Sequence, residues 1–600
     1  MITPENYYHS ILRDTNIQLN KTQKKIYSIG TLRLLIVLIT LGLLYFLWDY
    51  PLYILIPICL FGIILFLILL RVHNRFFIKK SLQEARISIA KKELQLLQYQ
   101  FDETDEGNEF INTEHDFSND LDLFGHKSLF SYINRSASLL GRNRLAEILQ
   151  KPLRDTHYIL KRQKAIEELS KLTELRIDFL AHGLTSNEKK SDISTIRNTA
   201  SLKNVIPAKY IQICSLYIIP ILFTTLLLLW IAGISTGTWI LYLFIICFTY
   251  ATIKSKKVST LQKQLNEGLQ SLNSYTKLIE SLEKTQFKSQ LLQELKQEIN
   301  IDGTPVSERI KRLTKLLGNL DQRYNAIGFA ILNGFLLWDF RQLTAIGKWL
   351  DENAGQLEQW LSALAEFDAI SSLATFHYNH PNYIFPELIE DDHPVLSAVN
   401  MGHPLIPPTR CILNDIDMPL RPSFLVITGA NMAGKSTYLR TIGINHVLAC
   451  IGAPVCAEKM RITPCTLFTS LRTTDSLKDQ ESYFFAELKR LKVVIDRLKT
   501  REKIFIILDE ILKGTNSIDK QKGSLALVEQ LIELNASGVI ATHDLLLGEL
   551  ANSYPDIIRN FRFEADITND ELSFSYRLQP GIAQNMNAYF LMRKMGIIKK

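Results

Sequence analysis

The chain has 600 residues, of which 47% are hydrophobic and 22% are charged, so the composition excludes a disordered protein and predicts several domains. The net charge of +7 is compatible with binding to nucleic acid. However, the basic residues that flank four apolar runs outnumber the excess of positive charges, and this position favours an interaction with a membrane surface. The seven cysteines form no CxxC pair, which excludes a zinc or disulfide framework of that type. The flanking basic residues are Lys21, Lys24, Lys25, Arg33, Arg71, Arg75, Lys79, Lys80, Lys203, Lys209, Lys254, Lys256 and Lys257.

The four apolar runs form two hairpins, the first at about 34–48 and 52–70 and the second at about 211–231 and 239–253. Since a crossing takes roughly 20 apolar residues, the two shorter runs must extend or lie partly in the interface. Buried core helices are the alternative. Lysine and arginine flank the outer ends of both hairpins, however, and the connecting loops carry none. The pattern therefore predicts a multi-pass membrane protein with its N terminus, helical core and C-terminal domain in the cytoplasm.

Helical periodicity follows each hairpin. Leu82, Ala85, Ile89 and Leu96 mark one face of an amphipathic helix, and the acidic stretch after it is predicted to be a linker. After the second hairpin, a heptad pattern predicts a coiled coil or helix pair. Packing within its own domain and a dimer contact explain this pattern equally well. The heptad positions are Val258, Leu261, Leu265, Leu272, Ile279 and Leu282.

The stretch SFLVITGANMAGKST predicts a strand at 424–428, a glycine-rich loop and a helix. The loop fits the pattern GxxxxGK[ST], in which backbone N–H groups and the helix N terminus bind phosphate. Lys435 should reach the β- and γ-phosphates of ATP, and the Ser436 hydroxyl should bind Mg²⁺. The predicted nucleotide contacts are Gly429, Ala430, Asn431, Met432, Ala433, Gly434, Lys435, Ser436 and Thr437.

Two further strands end in residues suited to nucleotide hydrolysis. The apolar run 504–508 is typical of a buried parallel strand, and Asp509 at its end is predicted to bind Mg²⁺. Glu510 would polarise the attacking water. His543 follows a third strand at 539–542; a histidine there is often structural, but the order strand, Asp-Glu, strand, His favours a γ-phosphate sensor.

These motifs resemble the ATPase domain of MutS proteins, a branch of the ABC-type ATPases. TGANMAGKSTYLR, LDEILKGTNSID and ATHD are similar to the family's phosphate loop, Walker B motif and switch histidine, and the segment 121–169 resembles the start of its core or lever domain. The resemblance implies ATP with Mg²⁺ and a homodimer formed through the ATPase domains. Ser482 of one subunit, with the loop from Gly514 to Asp519, would then complete the partner's site in trans.

The chain also departs from the family. MutS mismatch readers carry an N-terminal domain with an aromatic-x-glutamate wedge, and a DNA clamp inserted in the lever; membrane hairpins are predicted at both places here. Phe101–Glu103 has the wedge spacing but is predicted at the end of an amphipathic helix. Leu512–Lys513 replaces the Gly-Arg that follows Walker B, and Gln480–Glu481 replaces a Gly-containing pair. Hydrolysis is expected, whereas mismatch recognition by the usual mechanism is not.

The predicted fold is an α/β P-loop (ABC-type) ATPase domain plus an all-α lever/core domain, with four transmembrane helices in two hairpins. DNA repair or recombination near the membrane is one expected function, and DNA is the partner that the resemblance implies. Action on a protein or on the membrane itself is the alternative. Half of an ABC transporter fits poorly, because LSGGQ is absent and the apolar runs lack polar residues. The predicted domains are 1–30 (cytoplasmic segment), 31–70 (hairpin), 71–114 (amphipathic helix and linker), 115–210 (first part of the core), 211–253 (hairpin), 254–375 (second part of the lever/core) and 376–600 (ATPase).

Overall fold

The computed structural model describes residues 3–186, 207–301, 303–418, 421–430, 432–472, 483–512, 516–568, 571–584 and 597–598. The N-terminal two thirds of the chain are mostly helical, and the remainder is built on two β-sheets with helices. The helices begin with α1 (Pro4–Phe46) and α2 (Leu52–Leu97), which pack together as a hairpin. At Gly62 a Cβ would lie 2.5 Å from the Thr40 hydroxyl oxygen, so the close approach of the two helices requires a glycine.

The second hairpin begins with α7 (Lys209–Ile213), which continues through a π-helical turn (Cys214–Ile218) into α8 (Ile219–Ile231). It returns in α9 (Thr238–Lys284). Together with α1 and α2, these helices supply four segments long and apolar enough to cross a membrane. At most 11% of the most apolar window of each segment is buried, which disfavours the alternative of buried core helices.

The helices α1, α2 and α9 extend well beyond their apolar segments. The predicted cytoplasmic segment 1–30 is therefore part of one helix that continues into the first apolar run. On the part of α2 beyond its apolar segment, Ala85, Ile89 and Leu96 are buried, as the periodicity predicts, whereas Leu82 is half-buried. The helix ends at Leu97, so Phe101–Glu103 lies in the following turn and not on the helix.

The predicted linker 102–114 is folded against the helical core. Arg142 pairs with Asp105 (Nε to Oδ2, 2.5 Å) and with Glu109 (Nη1 to Oε1, 2.8 Å). Its guanidinium also lies 4.8 Å from the Phe110 ring centre. The predicted linker is thus packed against the core, because two of its acidic residues are partners of an arginine that is distant in sequence.

The helical core combines segments from both sides of the second hairpin. The long helix α13 (Trp338–Asn379) packs against α4 (Leu139–Gln150), α5 (Thr156–Lys171) and α11 (Val306–Leu320). Its Asp368 is fully buried. That carboxylate accepts hydrogen bonds from the Ala137 amide (2.8 Å) and from the Ser138 amide and hydroxyl (2.9 and 2.7 Å). The core helices are α3 (Leu129–Ile133), α4 (Leu139–Gln150), α5 (Thr156–Lys171), α6 (Thr173–Leu184), α10 (Gln290–Glu298), α11 (Val306–Leu320), α12 (Ala326–Leu336) and α13 (Trp338–Asn379).

The heptad positions of α9 are used within the chain. Leu265, Leu272 and Ile279 are fully buried or nearly so, and α9 packs against the apolar face of α11. Lys311 of α11 also pairs with Glu280 of α9. Of the two explanations of the pattern, the structure therefore favours a helix pair within one chain.

A buried polar network joins the first hairpin to the core. Glu93 of α2 accepts two hydrogen bonds from Arg135 (2.5 and 3.1 Å) and one from Asn379 at the end of α13 (2.7 Å). Tyr8 of α1 donates to Asn379 (2.9 Å). Burial alone would raise the pKa of Glu93, but the guanidinium of Arg135 outweighs it and the pKa is lowered. The carboxylate is therefore charged, and it links three distant segments.

The C-terminal part contains a six-stranded sheet in the order β14-β11-β6-β10-β9-β8, of which all neighbours but β14 are parallel. A smaller sheet has the order β3-β7-β4-β5. The strands are β1 (Asn300–Ile301), β2 (Thr304–Pro305), β3 (Glu387–Leu388), β4 (Leu396–Met401), β5 (Asn414–Asp417), β6 (Phe424–Gly429), β7 (Lys459–Ile462), β8 (Thr466–Ser470), β9 (Ile504–Asp509), β10 (Ser537–Thr542), β11 (Ile558–Phe563), β12 (Ala565–Thr568), β13 (Glu571–Phe574) and β14 (Gln579–Pro580). The helices of this part are α14 (Lys435–Cys450), α15 (Tyr483–Lys499), α16 (Ser517–Glu533) and α17 (Leu546–Ser553).

The helical core contacts this sheet through Asp120, a nearly fully buried carboxylate. It accepts hydrogen bonds from the Thr469 hydroxyl (2.7 Å) and from the amides of Leu471 (3.2 Å) and Arg472 (3.1 Å). The core thereby holds the end of β8, from which the chain leads toward Ser482.

Two buried histidines make the fold sensitive to acid. His446 is fully buried and stacks on Phe505, and burial lowers its pKa from 6.5 to about 4. His380 contacts the Tyr132 hydroxyl and the Phe376 carbonyl oxygen (both 2.8 Å), and burial lowers its pKa to about 4 as well. Both rings are therefore neutral in the folded protein at neutral pH.

The free energy of unfolding should fall as the pH drops from 6.5 toward 4, because the unfolded chain takes up these protons first. Each histidine contributes about 1.4 kcal/mol per pH unit in that window, and nothing above it. Melting temperatures of the full-length protein measured across this range test the effect. His446→Phe should make the melting temperature depend less on pH. Any change in stability caused by the larger phenylalanine ring would be the same at every pH. An unchanged slope would contradict the prediction.

Candidate functional site

The candidate site lies where the chain leaves the carboxyl ends of three neighbouring parallel strands. β10 is hydrogen-bonded to β6 on one side and to β9 on the other. The predicted strands at 424–428, 504–508 and 539–542 correspond to these three, with bounds within two residues. The crevice at the carboxyl ends of strands is where open α/β sheets bind ligands, so this edge brings Lys435, Asp509 and His543 together.

Lys435 is the first residue of α14 and is nearly fully buried. Its ammonium group donates to the carbonyl oxygens of Gly429 (2.7 Å) and Ala430 (2.9 Å) in the loop before it. Gly429 has φ +152°, and a Cβ there would lie 2.5 Å from the Phe563 carbonyl oxygen. The loop is therefore closed tightly around the ammonium group of Lys435, and the N terminus of α14 is directed at the same loop.

Ser436 and Asp509 are in direct contact, with the hydroxyl of Ser436 donating to Asp509 Oδ2 at 2.5 Å. One residue lies on α14 and the other ends β9, so the sheet brings together positions 73 residues apart. A hydroxyl and a carboxylate are hard oxygen donors of the kind that Mg²⁺ prefers. This pair fits the predicted magnesium site.

Glu510 and His543 are in direct contact, with 3.0 Å between Oε1 and Nε2. The same Nε2 lies 3.2 Å from the Lys435 ammonium group, so the imidazole stands between a cation and a carboxylate. Glu510 has φ +55° and its amide donates to the Ala541 carbonyl oxygen (2.9 Å), which aims the side chain across β10. Lys520 of α16 lies 3.8 Å from its other oxygen.

The turn after β9 is held from outside the motif. The Leu512 amide donates to the buried carboxylate of Glu487 (2.8 Å), and Leu512 itself has φ +57°. Glu487 lies on α15, directly after the segment that contains Ser482. Glu487 could not be selected from the sequence, because a glutamate on an amphipathic helix is expected to be exposed to solvent.

A cavity of about 230 Å³ adjoins the glycine-rich loop. The ring of Tyr576 lies over Gly434, where a Cβ would be 3.1 Å from its Cδ1, and Asn414 holds that segment through the Tyr576 carbonyl oxygen (3.0 Å) and the Leu578 amide (2.8 Å). Nothing in the local sequence indicates this cavity, since its walls come from four separate segments. The walls include Met401, His403, Ile406, Ile412, Thr437, Tyr438, Phe563 and Tyr576.

Three predicted positions, Asn431, Ser482 and Gly514, lie outside the described residues. Ala430 and Ala433 are buried, whereas Met432 has φ +67° and a 79% exposed side chain. Thr437 lines the cavity next to Gly434.

Comparison with known proteins agrees with this arrangement. Residues 425–594 match the family model of MutS domain V, which covers β6, the glycine-rich loop, β9 and β10. The C-terminal domain belongs to the MutS family. The resemblance stated from the motifs is thus confirmed, and MutS domain V is the ATPase domain of that family.

Relatives that share this MutS domain are proteins described as DNA mismatch repair protein MutS. The protein of Natronomonas pharaonis is 30% identical over 233 residues, that of Thermotoga maritima 30% over 242, and that of Parasynechococcus marenigrum 32% over 250. These alignments cover 38%, 39% and 41% of this chain. They cover 26%, 29% and 27% of the respective relatives, so the chain matches less than a third of the length of each of them.

Proposed function

We propose that this chain is a membrane-anchored MutS-family ATPase that binds and hydrolyses ATP with Mg²⁺ to move its helical levers. The observation that supports this most strongly is the convergence of Lys435, Ser436, Asp509, Glu510 and His543 at one edge of a parallel sheet. A chance match to a short motif would not place residues from one helix and the ends of two strands within hydrogen-bond distance.

The glycine-rich loop would bind the phosphates of ATP through its backbone N–H groups. Lys435 would exchange the carbonyl oxygens of Gly429 and Ala430 for the β- and γ-phosphates. Ser436 and Asp509 would hold Mg²⁺, which supplies charge neutralisation at the phosphates. The cavity beside Gly434 would receive the base, since its walls are mainly apolar and aromatic.

Glu510 would orient and polarise the attacking water, with His543 as the sensor of the γ-phosphate. The imidazole Nε2 faces both the Glu510 carboxylate (3.0 Å) and the Lys435 ammonium group (3.2 Å). A bound γ-phosphate would draw Lys435 away and give His543 a new acceptor. Glu510 would then be released toward water only when the site is filled.

The proposed active unit is a homodimer joined through the ATPase domains, in which Ser482 acts on the partner's nucleotide. Asp120 holds the end of β8, which leads into that serine segment, so dimer closure would pull on the helical core. α13 would carry the movement toward the second hairpin, because it begins beside that hairpin and the chain leads from its end at Asn379 to β3. Its length makes it the main candidate lever.

The relatives' described role in DNA mismatch repair favours DNA as the target, at the level of the family. The membrane hairpins favour a second candidate, action on the membrane or on a protein in it. In this proposal the N terminus, core and ATPase domain face the cytoplasm, because lysines and arginines flank the cytoplasmic ends of the four spans. The mismatch reader and the clamp of the family are replaced by the two hairpins.

ATPase activity of the detergent-solubilised full-length protein separates these candidates. Rates are measured alone and with homoduplex, mismatched or branched DNA, at two salt concentrations. Stimulation by DNA that weakens as salt rises supports the DNA candidate, because phosphate contacts release counterions. A basal rate indifferent to every DNA would contradict it and leave the membrane candidate, and no hydrolysis at all would contradict the ATPase proposal itself.

A further inference from the structure

A fifth apolar segment lies beside the second hairpin, between α11 and α13. It is α12 (Ala326–Leu336), which is too short to cross a bilayer. Residues 324–338 contain no charged side chain. This segment falls within the predicted second part of the lever/core, 254–375.

The packing of α12 places it at the level of the membrane spans. Phe335 contacts Phe244 of α9 (ring centres 4.9 Å apart) and Phe223 of α8 (5.1 Å). Phe329 contacts Phe248 (6.0 Å), and at Gly334 a Cβ would lie 2.1 Å from the ring of Phe244. Since a helix rises 1.5 Å per residue, Phe244 lies about 15 Å along α9 from the basic cluster that begins at Lys254. The tip of α12 is therefore well inside the apolar part of the hairpin.

The chain enters and leaves this position at the same end. Arg323, just before α12, lies 3.6 Å from the carboxylate of Asp339, just after it. Arg323 also donates to the carbonyl oxygen and the hydroxyl of Ser255 (2.9 and 2.8 Å), next to Lys254 and two further lysines. Asn333 closes the loop by exchanging hydrogen bonds with Asp339 (3.1 and 3.0 Å). Both ends of the loop therefore lie at the basic cluster of Lys254, Lys256 and Lys257, and the chain follows a re-entrant path.

One face of α12 is exposed along most of its length, and Phe335 at its end is only partly packed against Phe244 and Phe223. Ile327, Ile331 and Phe335 are 72%, 52% and 38% exposed, and their spacing of four places them in one stripe. The stripe continues the exposed apolar surface of the adjacent spans, for example Ile245 (47%) and Leu222 (42%). The environment that contacts the exposed faces of the spans must therefore contact this face of α12 as well.

We propose that α12 is a re-entrant membrane helix in the cytoplasmic leaflet, and that its stripe of Ile327, Ile331 and Phe335 contacts lipid acyl chains. The inference rests on the proposed membrane anchoring of the second hairpin. Short helices at membrane depth are tolerated where they pack against neighbouring helices and the charges at their ends are paired, as at Arg323 and Asp339. Because α13 starts at Trp338, directly after α12, the lever would begin inside the leaflet.

Photocrosslinking with a lipid tests the proposal on the full-length protein. The protein is reconstituted in phosphatidylcholine vesicles that contain a small fraction of lipid with a benzophenone group in its acyl chain. After irradiation, trypsin releases the first hairpin as residues 34–71, the second as 210–254 and the loop as 324–341, because lysine or arginine stands at both ends of each. Labelling of all three peptides is the expected result.

Labelling of both hairpins without 324–341 would overturn the re-entrant helix and leave the membrane anchoring intact. Labelling of none of the three would overturn the anchoring and the inference together. Ile331→Asp should lower labelling of 324–341 severalfold and leave 210–254 labelled, because a charge disfavours insertion. Val493→Asp, at a 49% exposed position on α15, is the matched control and should change neither. Equal labelling in the Ile331→Asp variant would contradict the assignment of the stripe.

Discussion

Replacing Glu510 with glutamine should abolish ATP hydrolysis while nucleotide binding persists. The amide keeps the size of the carboxylate and can still bond to His543, but it cannot polarise water as a base. A positioned general base typically contributes about 10²–10⁴-fold, so the hydrolysis rate should fall by roughly that factor. Phosphate release measures hydrolysis, and a fluorescent ATP analogue measures binding.

Glu533→Gln makes the same chemical change at an exposed position of α16 and serves as the control. It should leave both readings at their original level. Loss of nucleotide binding in Glu510→Gln would mean that the contact with His543 (3.0 Å) holds the loop together, and a structural role would replace the catalytic one. A normal hydrolysis rate in Glu510→Gln would exclude this residue as the base.

Glu93→Leu should cause the largest loss of stability outside the nucleotide site. The substitution leaves the Arg135 guanidinium buried without its 2.5 Å partner and removes the acceptor of Asn379. Removing one member of a buried ion pair costs about 3–5 kcal/mol. Thermal unfolding of the full-length protein, followed by tryptophan fluorescence, should show a melting temperature lower by several degrees.

The double variant Glu93→Leu with Arg135→Leu should recover part of this loss, because no buried charge is then left alone. Glu167→Gln tests an exposed pair, since Glu167 and Lys171 are 52% and 71% exposed, and it should cost at most about 0.5 kcal/mol. If Glu93→Leu destabilises no more than Glu167→Gln, the network does not join the first hairpin to the core.

The strands around the nucleotide site could be predicted from the sequence because local signals agree there. β6 and β9 are continuous apolar runs that end in Gly429 and Asp509, and burial on both faces of the sheet requires such runs. The loop pattern then fixes Lys435 and Ser436 at the start of α14. The contact between Ser436 and Asp509 depends on the sheet order β6-β10-β9, which the order of the motifs along the chain does not give.

The features that sequence reasoning missed depend on partners distant in the chain. Arg142 turns an acidic stretch into a packed segment, and Asn414 brings Tyr576 over Gly434 from more than 140 residues away. Neither contact leaves a periodic or compositional signal. α12 was missed for another reason: a span threshold of roughly 20 residues rejects a helix that enters and leaves the same leaflet.

The helices that leave the hairpins run into the helical core without a break, as α2 and α9 show over 46 and 47 residues. An unbroken helix has no hinge, so the orientation of the nucleotide site relative to the bilayer plane would be nearly fixed. Two anchored copies would then meet only by lateral diffusion and rotation about the bilayer normal. Their association would depend on the number of copies per membrane area, so dilution in excess lipid, and not in buffer, would dissociate the proposed pair.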